Sequence, residues 1–119
     1  MDLLEIFKDS EDLVEFPAGT MIVKEGAEGD CMYVVMKGEV VISLFDKVFA
    51  TVLPGEIVGE MALINSEIRS ATATAKTDCQ LAIIDRNCFE SLIRHVPDFT
   101  RHVMIILANR LQFALEMIE

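Results

Sequence analysis

Two periods divide the chain. Over the first three-quarters, short apolar runs alternate with turn residues; over the last quarter, apolar positions recur every three or four residues. The turns fall at Pro17-Ala18-Gly19, Glu28-Gly29-Asp30, Lys37-Gly38 and Pro54-Gly55. Between them lie β-favouring runs at Met21-Ile22-Val23, Met32-Tyr33-Val34-Val35-Met36 and Val40-Val41-Ile42-Ser43-Leu44. Lys47 to Val52 follows after a very short link at Asp46. Short strands at this spacing predict a β-sandwich or barrel. Ser70 to Ala75 and Cys79 to Ile84 bring the count to about eight, the number a jelly roll uses.

The helical period begins after an N-cap at Asp85 or Asn87, with Phe89, Leu92, Ile93 and Val96 forming a stripe. Pro97-Asp98 breaks it and starts a second helix of about 20 residues, roughly 30 Å long, running to the end of the chain. A short helical turn from Asp2 to Phe7 is expected to pack against that helix. The predicted fold is mainly β with flanking helices: an eight-stranded double-stranded β-helix, or jelly roll, followed by C-terminal helices. Residues 1–119 read as one domain, without linker, repeat or low-complexity segment.

Composition narrows the function. The 119 residues are 52% hydrophobic and 25% charged, unusually apolar for so small a domain. Either a well-filled barrel or a buried interface would account for that excess. Ten Lys and Arg against twenty Asp and Glu give a net charge of −10. With no basic patch, nucleic-acid binding is not expected. Screening over roughly 8 Å lets a local arginine outweigh distant carboxylates. Cys31, Cys79 and Cys88 form no CxxC pair, and each is expected to be a buried, reduced thiol. No signal pattern precedes the first strand, and the apolar run from Val103 to Ala108 is too short to span a bilayer. A soluble, cytoplasmic protein is expected.

The chemistry concentrates in Pro54-Gly55-Glu56-Ile57-Val58-Gly59-Glu60-Met61-Ala62-Leu63-Ile64 and Arg69-Ser70-Ala71-Thr72-Ala73-Thr74-Ala75. Pro54-Gly55 fits a type II turn. Met61 to Ile64 can form one helical turn whose leading N–H groups attract an anion. Nine residues past Glu60, Arg69 offers a planar fork able to hold two phosphate oxygens at once. The small side chains Ser70-Ala71-Thr72 leave room for a ligand against the strand. Glu60 supplies the acceptor that a ribose 2′-hydroxyl needs.

These two segments resemble the phosphate-binding cassette of cyclic-nucleotide-binding domains, as in the catabolite activator protein family and the regulatory subunits of cyclic-AMP-dependent kinase. Phe16-Pro17-Ala18-Gly19, Glu25-Gly26, Gly29-Asp30 and Tyr33 to Gly38 extend the likeness to nearly the whole chain. The resemblance implies that Glu60 accepts from the 2′-hydroxyl and Arg69 holds the cyclic phosphate. Gly59, Met61, Ala62, Ser70 and Ala71 would surround that phosphate with backbone donors and the Ser70 hydroxyl. Ser70 modestly favours cyclic AMP, because cyclic-GMP-selective sites often carry threonine there. Two positions depart from the pattern. Ile68 stands where the family often has proline before the arginine. Ala114 and Leu115 stand where the bacterial activator offers a threonine-serine pair to adenine, which implies an apolar cap on the base.

The expectation is therefore a stand-alone sensor of cyclic nucleotide, not an enzyme, with no cofactor or metal. The chain stops at Glu119, where family transcription factors continue into a helix-turn-helix; either an unidentified protein effector is expected, or the sequence is a piece of a longer protein. Met104, Leu107, Leu111, Ala114 and Ile118 form a coiled-coil-like seam, beside a second stripe of Val103, Ile106, Phe113 and Met117. A homodimer through this helix is expected. Two rivals remain: a metal enzyme on a cupin-like barrel, and a nucleotide-free interaction or dimerisation module of the same fold. His95 and His102, both in the helical tail, fit the first poorly.

Overall fold

A computed structural model describes residues 1–65 and 68–118. Among the described residues, eight antiparallel strands form two four-stranded sheets. The first is ordered β1-β8-β3-β6, comprising β1 (Leu13–Phe16), β3 (Cys31–Lys37), β6 (Ile57–Val58) and β8 (Cys79–Asp85). The second is ordered β2-β7-β4-β5, from β2 (Met21–Val23), β4 (Val40–Leu44), β5 (Lys47–Val52) and β7 (Thr72–Ala75). Four helices accompany them: α1 (Leu3–Phe7), the single turn α2 (Met61–Ile64), α3 (Arg86–His95) and α4 (Pro97–Glu116). This is the jelly roll with flanking helices that the spacing of the runs predicts.

The molecule has three layers, and β3 shows why. Its alternate residues point to opposite faces. Val35, with Val58 and Leu81, faces the second sheet and joins Val40, Ile42, Val52, Ala73 and Ala75 in the sandwich interior. Met32 and Val34, with Ala82 and Ile84, face the helices and meet Leu3, Phe7, Phe89, Phe99, Val103 and Ile106. A strand covered on both faces has no polar side. That is why the run from Met32 to Met36 is continuous instead of alternating.

The helices follow from local signals. Asp2 caps α1, accepting from the Leu4 N–H at 3.0 Å. Asp85 caps α3, accepting from the Cys88 N–H at 2.8 Å. Pro97 starts α4, whose first turn needs no donor there. Phe99 is fully buried and meets Phe89 edge-on at 6.0 Å, locking α4 to α3. α4 ends at Glu116, and Glu119, where the helix was expected to run, lies outside the described residues. Two details correct the sequence reading. Ile93 is exposed, because α3 turns only Phe89 fully inward. Of the cysteines only Cys79 is buried; Cys31 and Cys88 are partly exposed, and all three are free.

Candidate functional site

Gly55 takes φ +90° and the Glu56 N–H donates to Leu53 O at 3.0 Å, closing the turn expected at Pro54-Gly55. The two-residue strand β6 then pairs with Tyr33 and Val34 of β3, which fixes where the following residues fall. Gly59 adopts φ +82° and redirects the chain into α2. The helical hydrogen bonds begin with the Leu63 N–H donating to Glu60 O at 3.0 Å, so the Met61 and Ala62 N–H groups lie ahead of them. Arg86 at the start of α3 donates to Ala62 O at 3.4 Å, tying the turn to the helical layer.

Arg69 arrives from the opposite side. Its backbone is clamped twice by the loop between β2 and β3: its N–H donates to Ala27 O at 2.7 Å and its carbonyl accepts from the Gly26 N–H at 2.9 Å. Ile68 bridges to Glu28 in the same run. These cross-chain bonds position the segment that a proline would otherwise stiffen. The side chain is 7% exposed. Nη1 donates to Gly59 O at 2.9 Å and Nη2 approaches Cys31 Sγ at 3.7 Å. The guanidinium fills a slot between two glycines. A Cβ on Gly29 would lie 2.2 Å from Nε, and one on Gly59 would lie 2.7 Å from Nη1. Among the described residues, no carboxylate pairs with Arg69.

The second buried charge is Glu60, 4% exposed. Its Oε1 accepts from Arg110 Nη1 at 2.8 Å, and Arg110 Nη2 also donates to Ile57 O. Helix α4 is thereby stitched to the glycine turn through the acid itself. Arg110 is the cleft residue that sequence reasoning missed, for it stands 50 residues from Glu60 in an apolar helix. Its one signal was a lone basic residue within the stripes of α4.

A single cleft collects these groups. Gly59, Glu60, Met61, Ala62, Arg69, Ser70 and Ala71, all seven expected ligand residues, line it. Val23, Ile42, Phe49 and Ala73 of the second sheet form an apolar wall, and Leu107 and Arg110 of α4 close one side. Strand β7 begins only at Thr72, so Ser70 stands exposed in the run-in to it. Thr72 Oγ1 accepts from the Glu25 N–H at 3.0 Å, which braces β2 against this edge. Ala114 and Leu115 do not line the cleft: the side that α4 presents to it ends at Arg110, one turn earlier. The shape offers a buried guanidinium at one end, a carboxylate beside it and an apolar wall beyond. Such a site has the charges and the apolar surface to hold an anion that also carries a hydroxyl and an apolar group.

The family model for the cyclic nucleotide-binding domain matches residues 13–96. The chain belongs to that family. Within the cyclic nucleotide-binding domain, the match runs from β1 through α3, and α4 with its Arg110 lies beyond it. Isozyme 2 of the cGMP-dependent protein kinase of Drosophila melanogaster is 38% identical over 80 residues, 67% of this chain and 7% of that protein. The cAMP-dependent protein kinase regulatory subunit of Aspergillus fumigatus is 35% identical over 97 residues, 78% of this chain and 23% of that protein. The Thermus thermophilus catabolite activator protein has a similar structure, with a TM-score of 0.75 and 32% identity over 88% of this chain and 52% of its own. The domain thus spans under a quarter of these kinase relatives and about half of the activator. Among the described residues, no three metal-ligating side chains come together, and no helix is long and apolar enough to cross a membrane.

Proposed function

We propose that this domain is a non-catalytic sensor that binds a cyclic nucleoside monophosphate, cyclic AMP in preference to cyclic GMP. The observation that carries the reading is Arg69, a buried guanidinium at the cleft wall with no carboxylate partner among the described residues. Buried charges are ordinarily paired, which supports an anionic ligand as the partner of Arg69. The cyclic phosphate meets Arg69 and the N–H groups of α2. Glu60, held by Arg110, accepts from the 2′-hydroxyl. The base lies along Val23, Ile42, Phe49 and Ala73, under Leu107. Ser70 at the rim is the smaller alternative to threonine, which supports the adenine preference.

The signal leaves through α4, because Glu60 is ion-paired to Arg110 of that helix. On the face of α4 turned away from the core, Met104, Leu111 and Leu115 are exposed. This face supports a homodimer through α4, with a protein effector downstream. Thermal unfolding with added nucleotide tests the binding. Cyclic AMP at 100 times its dissociation constant should add about 2.7 kcal/mol of stability, with a smaller effect from equal cyclic GMP. No shift with either, or with a cyclic dinucleotide, would leave the fold as an interaction module that binds no nucleotide.

A further inference from the structure

Arginine is useful to a phosphate only if its plane faces the oxygens, and a long side chain does not hold a plane unaided. Around Arg69 the plane is set at both terminal nitrogens. Gly59 O accepts from Nη1 at 2.9 Å, and Cys31 Sγ lies 3.7 Å from Nη2. That separation suits an N–H group bonded to sulfur, which is a weak acceptor. Both terminal nitrogens thus spend one N–H on a protein group, and of the five N–H donors of a guanidinium three remain.

Cys31 is the first residue of β3, paired across the sheet with Asp85, so its backbone belongs to the rigid central layer. Its neighbour Tyr33 has its phenol pushed up to about 12, chiefly by burial and then by the Cys31 side chain, and it stays protonated. No anion from Tyr33 therefore competes for the fork. The sequence reading treated Cys31 as one buried thiol among three; the structure leaves it partly exposed and against the guanidinium.

We propose that Cys31 is a positioning residue for phosphate recognition: its sulfur accepts from Arg69 Nη2 and fixes the rotation of the guanidinium about its long axis. The proposal rests on the reading of Arg69 as the phosphate ligand. Cys31 does not touch the nucleotide; it restricts the fork to the orientation in which the remaining N–H groups face the cleft. Serine keeps an acceptor at the same branch point with a shorter reach, and alanine keeps none.

Calorimetric binding of cyclic AMP to five proteins decides it: native, Cys31→Ala, Cys31→Ser, Arg69→Lys, and Cys31→Ala combined with Arg69→Lys, each with its melting temperature measured without ligand. Cys31→Ala should weaken binding about threefold to tenfold, the share of one hydrogen bond. Cys31→Ser should recover part of that loss, with melting temperatures unchanged. On the Arg69→Lys background, Cys31→Ala should change nothing, because no fork remains to orient. A loss of equal size on that background, or none in the native protein, overturns the positioning role. If Arg69→Lys binds like the native protein, the phosphate reading has failed, and the positioning role falls with it.

Discussion

Arg69 has lost its bulk water without gaining a carboxylate among the described residues, and in the proposed function the ligand balances its charge. Arg69→Ala should cost about 2–5 kcal/mol of cyclic AMP binding, measured by calorimetry, while hardly changing the unfolding midpoint of the free protein. Arg69→Lys should also weaken binding, since the charge stays and the fork goes. Gly29 tests the slot from the other side. Its missing side chain makes room for Nε, so Gly29→Ala must push the guanidinium out of place. Binding should fall at least tenfold in a protein that still folds, and a full-affinity Gly29→Ala would show that the slot is not needed. Glu60→Gln keeps the shape and loses the charged acceptor, at about 1.5–3 kcal/mol of binding. A 2′-deoxy analogue should lose a similar amount on the native protein and little more on the variant; losses that simply add would remove Glu60 from the ribose.

At the scale of elements, α4 is the piece with two surroundings. Its first half turns Phe99, Val103 and Ile106 into the helical core, while Met104 and Leu111 on the other face are 64% and 61% exposed. The two stripes read from the sequence therefore separate only in part. Val103 and Ile106 are buried, but Phe113 and Met117 of the same stripe are about half exposed, in a groove beside Val48 and Phe49 of β5. Arg110 stands at the junction, beside Leu111 of the exposed seam, and links it to Glu60. A second copy on that seam would bear on Glu60, the proposed ribose acceptor, and would couple assembly to ligand affinity. Leu111→Glu should yield a monomer in sedimentation and weaken nucleotide binding together. A native protein that stays monomeric at high concentration, or a dissociated variant with unaltered affinity, would separate the two.

For the whole molecule, the three-layer arrangement makes the central sheet the common support of the helical core and the nucleotide cleft. Phe99 of α4 is fully buried against α3 and that sheet. Phe99→Ala should cost about 3–5 kcal/mol, read as a lowered urea midpoint, a large share of the roughly 5–15 kcal/mol that holds a domain folded. The sequence by itself determined the strands from Met21 to Val52, the Asp85 cap, the start of α4 at Pro97 and the two segments whose seven residues line the cleft, because each is written in neighbouring residues: a turn, a cap or a run of one period. Tertiary structure alone decided what those residues meet. Gly29 belongs to the Arg69 slot across 40 residues, Arg110 reaches Glu60 across 50, and Cys31 is drawn to the guanidinium and not into the core. It also set Leu107 and Arg110, and not Ala114 and Leu115, beside the cleft. Local periodicity fixes which face of a helix is apolar, but the angle and height at which the helix crosses the sheets depend on side chains such as Phe99, Phe89 and Leu3 packing from three separate elements at once.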